Sequence, residues 1–151
     1  MKTNRQTAKA FIYGLCANGS NCHTDGKTFV SYSTPVAENH GSAILIADTY
    51  RVSSIYYCGP WWGTTHTTER QLSYVVREAS FADVPTFRVP NIYPRTEKDH
   101  ATNIKHLTDK MNRERERSDK ARREDTKKRF LFYAGAIKTN IALYKAIFNI
   151  A

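Results

Sequence analysis

The chain has 151 residues, 40% of them apolar and 12% aromatic, which is enough to bury the core of one small domain with an appendage. Three irregularly spaced cysteines, and a short apolar stretch near the N-terminus, argue against a disulfide-stapled secreted protein and favour a reducing compartment. The formal charge is +9 and uneven: residues 1–90 hold eight Lys/Arg against six Asp/Glu, whereas residues 91–151 hold fifteen against eight. This asymmetry predicts an acidic partner for the C-terminal third.

The N-terminal half predicts a helix followed by a small antiparallel sheet. Apolar residues recur at helical spacing over Asn4–Cys16, and residues 17–27 are polar and expected to form a loop. Pro35 is expected to end or kink the first strand. Three runs favour strands and together predict a three-stranded antiparallel meander: Thr28–Ser33, Ser42–Ala47 and Tyr50–Tyr57.

An aromatic loop, Gly59–Gly63, follows the predicted meander and contains the adjacent residues Trp61 and Trp62. Two adjacent tryptophans do not readily face the same core. One of them is therefore a candidate to stack on a base or to anchor a protein interface. The alternative is that one fills the core and the other covers a turn.

A second helix is predicted over residues 68–79, which carry an apolar stripe at helical spacing. Thr67 or Thr68 would cap its N-terminus. Residues 80–95 contain three prolines, which is typical of an extended connector.

Residues 113–129 form the most unusual segment, with nine Lys/Arg, five Asp/Glu and a single apolar side chain. A straight helix over residues 97–129 would be about 50 Å long. Five acid-then-base pairs at i, i+4 spacing favour such a helix: Asp109–Arg113, Glu116–Lys120, Asp119–Arg123, Glu124–Lys128 and Asp125–Arg129. Seven basic residues are candidates for contact with phosphates or with an acidic protein: Lys110, Arg113, Arg117, Lys120, Arg122, Arg123 and Lys127. The alternative is a solvated helix held by its own ion pairs.

Residues 130–150 are mostly apolar and predict a helix that is buried on nearly all sides. The segment is long enough to span a bilayer, but Lys138, Lys145 and two asparagines make spanning costly, so we expect no membrane partner. The helix is instead expected to pack on residues 97–111 or on a second copy of the chain. The residues assigned to this interface are Phe130, Ile137, Ile141 and Ile147.

The chain shows no specific catalytic or metal-binding motif. The side chains that a zinc site would use lack closely spaced ligand pairs: Cys16, Cys22, His23, Cys58 and His66. A cysteine–histidine nucleophile pair would have no nucleophile elbow or phosphate-binding loop beside it. We therefore expect a non-catalytic protein without a metal or cofactor.

Two short stretches resemble a known group of proteins. Ser31–Ala37 reads SYSTPVA, and Thr67–Leu72, about thirty residues later, reads TTERQL. Together they resemble a group of small phage-encoded proteins with the pattern S-Y-x-T-x-x-A, a short meander, and T-T-x-x-H near a helix start. The match covers residues 25–78, and Gln71 stands where the group usually has His. The resemblance implies a phage or prophage origin and an accessory role in the host cytoplasm, with no catalytic residue to carry over.

The sequence thus predicts an α+β fold in two parts. Residues 1–95 would form a small domain with an N-terminal helix, the meander and a second helix, and residues 96–151 a charged helix followed by a hydrophobic terminal helix. The predicted function is non-catalytic binding and inhibition of a host nucleic-acid-processing or defence complex, through the basic helix and the aromatic loop. Two alternatives stay open: a direct DNA- or RNA-binding protein, and an oligomeric structural phage protein assembled through the C-terminal helix.

Overall fold

The computed structural model describes residues 1–48 and 63–151, with residues 63–66 described by their backbone alone. Within these residues the chain forms four helices and one six-stranded sheet, which confirms a mixed α and β fold with an N-terminal helix and C-terminal helices. The residues divide into two compact units, Met1–Tyr93 and Pro94–Ala151. The division into two domains, residues 1–95 and 96–151, stays a prediction.

The first unit is an antiparallel meander extended by one parallel strand, so that strand order follows chain order. Helix α1, Asn4–Ile12, precedes the five strands of the meander. These are β1 (Cys16–Asn18), β2 (Cys22–Asp25), β3 (Thr28–Ser31), β4 (Thr34–Asn39) and β5 (Ile44–Ala47). Helix α2, Gly63–Phe81, then leads to β6, Thr86–Val89, which pairs with β5 in parallel.

Helix α1 begins at a capping box and ends before the predicted Cys16. The Thr3 hydroxyl accepts the backbone N–H of Gln6, whose side chain accepts the backbone N–H of Thr3. Gly14 adopts φ +71°, so the chain turns there, and the N–H of Leu15 bonds back to a carbonyl of the last helical turn. Leu15 therefore lies beyond the helix and is exposed, although its spacing predicts a position on the apolar face of the helix.

The prediction of three strands is wrong, because four of the six strands, β1, β2, β4 and β6, are too short, too polar or interrupted by a proline to give an apolar run. Residues 17–27, expected as a loop, contain most of β1 and all of β2. The Asp25 carboxylate stabilises the turn into β3 by accepting two backbone N–H groups, at 2.8 and 2.7 Å. Residues 80–95, expected as a connector, contain β6. The predicted strand Tyr50–Tyr57 lies outside the described residues.

Pro35 lies inside a strand rather than ending one. Strand β3 stops short of the predicted Ser33 because Tyr32 adopts φ +57° in a tight turn. Pro35 then pairs with Val30 beside a shift in the register of β3 and β4. A residue without an N–H is tolerated at such an irregularity.

The core of the first unit lies between the two helices and one face of the sheet. The rings of Phe11 and Phe29 are tilted, with centroids 5.5 Å apart. The Asn39 side chain ties the sheet to α1 by donating to the carbonyls of Phe11 and Ile12 at 3.0 and 3.3 Å. The buried cluster comprises Ala8, Phe11, Ile12, Cys22, Phe29, Val36, Ala37, Ile44, Ile46, Leu72, Val75 and Ala79.

The second unit is an antiparallel helical hairpin, so the predicted straight helix over residues 97–129 is wrong. Helix α3, Glu97–Lys120, ends where Ala121 adopts an extended backbone, and helix α4, Glu124–Ile147, runs back beside it. The reversal has a clear physical cause. Each helix carries an apolar stripe that can pack on the other, and these two stripes remove each other from water only when the chain folds back.

The ion pairs of the hairpin differ from the predicted ones. The turn divides Asp119 from Arg123, which were predicted to pair. The exposed pairs that do form contribute at most about 1 kcal/mol each, so the apolar seam decides the architecture. These pairs are Lys105–Asp109 at 3.2 Å, Glu114–Arg117 at 3.0 Å and Arg123–Asp125 at 3.1 Å.

The prediction that the terminal helix is buried on nearly all sides is also wrong. A single neighbouring helix covers one face, so of α4 only Ala134 and Tyr144 are buried. The residues predicted for an interface are half-buried and share the helix face of Tyr144: Phe130, Ile137, Ile141 and Ile147. The large apolar side chains that remain exposed are Leu131, Phe132, Tyr133 and Leu143.

Tyr144 anchors the hairpin with a polar contact inside the apolar seam. Its side chain is fully buried, and burial raises the pKa of its hydroxyl. Asn103, also fully buried, donates from Nδ2 to this hydroxyl at 3.0 Å, and Nδ1 of His100 lies 2.8 Å from it. The Phe148 ring packs on the tyrosine ring at 4.7 Å between centroids. A buried amide that donates to this oxygen helps to fix the register of the two helices.

Replacing Tyr144 by Phe is expected to lower the free energy of unfolding by about 1–3 kcal/mol, because the Asn103 amide loses a buried acceptor. Urea unfolding followed by far-UV circular dichroism measures the change. Tyr133→Phe is the matched control, since Tyr133 is 44% exposed and its substitution should leave the stability nearly unchanged. Equal effects of the two substitutions would contradict the anchoring role of the buried hydroxyl.

Candidate functional site

The turn between α3 and α4 gathers basic side chains at one end of the hairpin. We call this the basic tip and define it as Arg117, Lys120, Arg122, Arg123 and Lys127. On a straight helix these residues would spread over about 15 Å. The reversal at Ala121 instead sets the last turn of α3 beside the first turn of α4, where the Ser118 hydroxyl donates to the Lys127 carbonyl at 3.1 Å.

An open depression of about 390 Å³ lies at the basic tip. Apolar atoms form most of its surface, but four of the residues that line it are basic, and guanidinium groups bind phosphate or carboxylate oxygens in pairs, so the tip can attract an anion. Phe130 also lines the depression, and the Arg129 guanidinium lies over its ring, 5.6 Å from the centroid; an aromatic ring of this kind can stack on a base. The lining residues are Arg117, Lys120, Ala121, Arg122, Arg123, Thr126 and Phe130.

Acidic neighbours reduce the charge of the tip without cancelling it. Arg117 donates to Glu114 at 3.0 Å and Arg123 to Asp125 at 3.1 Å. The arginine side chains of these pairs are 62% and 79% exposed, so solvent screens the attraction. Both arginines are therefore able to exchange a weak intramolecular pair for a bidentate contact with a partner.

The structure brings together five of the seven predicted basic residues. Lys110 and Arg113 lie farther along α3 and do not line the depression. Lys110 is half-buried, and Arg113 donates from Nε to the Asp109 carbonyl at 3.4 Å. The predicted aromatic anchors, Trp61 and Trp62, lie outside the described residues.

A buried polar contact joins the two stretches that carry the phage resemblance. The hydroxyl oxygens of Ser31 in β3 and Thr68 in α2 lie 2.9 Å apart in the interior of the first unit. The prediction of Thr67 or Thr68 as a helix cap is wrong, because α2 already begins at Gly63. Gln71 is fully buried, and its amide has no hydrogen-bond partner among the described residues.

Sequence reasoning missed this contact because serine and threonine carry no distinctive chemical signal. The available indication was positional: Thr68 shares the inward face of α2 with Leu72 and Val75. A hydroxyl placed on such a face must find a hydrogen-bond partner within the interior. We interpret the contact as a means of holding α2 on the sheet.

The buried Cys22 lies in an environment that does not favour nucleophilic chemistry. Burial raises the pKa of the Cys22 thiol, whose Sγ donates to Oδ1 of Asn4 at 3.4 Å. His23 points to the opposite, exposed face of β2, so the adjacent side chains diverge. Within residues 1–48 and 67–151 no group of His, Cys, Asp or Glu side chains could hold a metal ion. Cys58 and the His66 side chain are outside the described parts.

Comparisons with known proteins give no relative: no family model, curated protein or solved structure matches the chain. The phage resemblance therefore stays a prediction, and the functional argument depends on the geometry of the basic tip. Among the helices that the structure describes, none has the length and apolar character needed to cross a membrane.

Cys22 is expected to react with a thiol reagent at least about tenfold more slowly than the exposed Cys16, because its thiolate form is disfavoured and its access is blocked. The measurement is the rate of thionitrobenzoate release near neutral pH from the Cys58→Ser variant, which leaves two thiols. Urea should equalise the two rates and serves as the control. A fast-reacting Cys22 in the folded chain would contradict this and support a reactive-thiol function.

Proposed function

We propose that the protein is a non-catalytic, phage-type accessory protein that binds and inhibits a host nucleic-acid-processing or defence complex through the basic tip. The observation that carries the proposal is the convergence of four cations, Arg117, Lys120, Arg122 and Arg123, on one depression. A cationic tip requires an anionic partner surface. In such a complex this surface is either a patch of acidic side chains or the phosphates of the nucleic acid that the complex holds.

Binding, rather than catalysis, fits the chemistry of the tip. The depression is lined by cations, one hydroxyl group, one alanine and one aromatic ring. Such a lining attracts and orients an anion but supplies no nucleophile paired with a general base. Inhibition would then follow from occupying a surface that the complex needs. Trp61 and Trp62 remain the proposed desolvated anchors of the same interaction.

Direct binding of DNA or RNA is the second candidate, and a specific observation favours it. Phe130 shares the depression with the four cations, so one surface offers both phosphate contacts and a stacking platform. This candidate needs no host protein. It predicts that affinity for nucleic acid falls steeply as salt concentration rises.

The test is a pull-down from host lysate with the full chain, with and without nuclease. We expect a discrete protein partner that survives nuclease and is lost when Arg117, Lys120, Arg122 and Arg123 are all changed to Gln. Neutralising four exposed lysines elsewhere gives a control with the same net charge: Lys2, Lys9, Lys98 and Lys138. The captured complex should also lose activity when the unmodified chain is added and keep it when the tip variant is added.

Other outcomes separate the two candidates. Recovery of nucleic acid alone would favour direct binding. The log–log slope of affinity against salt should then fall by about 3–4 in the tip variant, at roughly 0.9 per lost phosphate contact. A partner retained equally by the tip variant and the control would overturn the role of the basic tip in either function.

A further inference from the structure

Helix α4 presents a second apolar face, opposite the side that packs on α3. At 100° per residue the exposed positions of this face centre on the side of the helix away from Ala134 and Tyr144, which are buried in the seam. Phe132 is 73% and Leu143 39% exposed. We call this the outer face and define it by five exposed, uncharged residues: Phe132, Gly135, Thr139, Leu143 and Ala146.

We propose that the outer face is a self-association surface, on which α4 of a second copy packs antiparallel about a twofold axis at Thr139. A twofold interface requires a patch that is complementary to itself. This axis sets Leu143 opposite Gly135 and Phe132 opposite Ala146, so each large side chain meets a small one. A Cβ built at Gly135 would meet nothing within 4 Å, so the space that Leu143 of the second copy needs is open.

The charges along α4 favour the antiparallel arrangement. It brings the basic residues 127–129 beside the C-terminal end of the other helix, where the helix dipole places partial negative charge. It also sets Lys138 opposite Asn140 and Lys145 opposite Tyr133, so no lysine faces a lysine. Parallel packing in register would instead place each of these lysines beside its own copy.

The size of the outer face indicates a reversible dimer. Residues 131–147 span about 25 Å of helix, and two helices packed over this length bury on the order of 1,000 Å² in total. This lies at the low end of specific interfaces, so we expect monomer and dimer to exchange at micromolar concentrations. The inference does not depend on the proposed function, because the basic tip and the outer face use different residues.

The outer face also differs from the interface predicted from the sequence. Ile137 and Ile141 share the side of α4 that packs on α3, so charged substitutions there would disrupt the hairpin itself. Substitutions of exposed outer-face residues change self-association without removing a buried side chain. They therefore test the dimer separately from the fold.

The experiment is sedimentation velocity of the full chain over a range of micromolar concentrations. Phe132→Glu or Leu143→Glu should weaken the dimer at least about tenfold by placing charge in an apolar contact. Asn112→Glu is the matched control, since it adds the same charge at an exposed site of α3 and should leave the dimer unchanged. Far-UV circular dichroism checks that each variant keeps its helices.

A second substitution tests the register. Adding Ala146→Lys to Phe132→Glu places opposite charges across the proposed interface and should restore the dimer, whereas Asn112→Lys added to Phe132→Glu should not. Three results would overturn the proposal: an unmodified chain that stays monomeric at about 100 μM, a dimer that Phe132→Glu and Leu143→Glu both leave intact, or no difference between the two lysine substitutions.

Discussion

The reversal of the chain at Ala121 is the constraint on which the basic tip depends. A continuous charged helix would keep its side chains solvated. It would also leave the apolar stripes around Leu107 and Tyr144 exposed to water, because they could not pack on each other. Folding back buries both stripes at the cost of a few exposed ion pairs, each worth at most about 1 kcal/mol. The basic tip is a consequence of this reversal, because the turn joins the basic ends of two helices. Their mutual repulsion is tolerated because solvent and salt screen it.

The polar anchor at the other end of the hairpin determines where the reversal can occur. Asn103 and Tyr144 meet only in one register of α3 against α4, and in that register Ser118 reaches the carbonyl of Lys127 beside the turn. A slip by one helical turn would break both contacts and leave a buried amide without its acceptor. The shape of the tip, and hence its capacity to bind an anion, therefore depends on a buried contact at the far end of the helix pair.

The sequence predicted those elements that carry an uninterrupted physical pattern. The apolar spacing of α1 and α2, and the helical character of the C-terminal third, follow from periodicity. Strands β1, β2, β4 and β6 were not predicted, because backbone hydrogen bonds to neighbouring strands, rather than an apolar run, hold Cys16–Asn18 and similar segments in place. The turn at Ala121 was not predicted from the sequence, because no Gly or Pro marks it. The i, i+4 charge pairs favoured an unbroken helix through this position. Each pair stabilises a helix by only tenths of a kcal/mol, however, and burial of the apolar seam outweighs them.

The basic tip and the outer face place two different kinds of interaction on neighbouring parts of one hairpin. Attraction of an anion to Arg122 and Arg123 is screened by salt, whereas contact between Phe132 and a second copy is apolar and is not weakened in that way. Salt concentration therefore separates them within a single preparation. Antiparallel packing would also set the two basic tips at opposite ends of the helix pair. A dimer would then engage an extended or repeating anionic partner at two points, and the second contact would strengthen binding without any new residue in the tip.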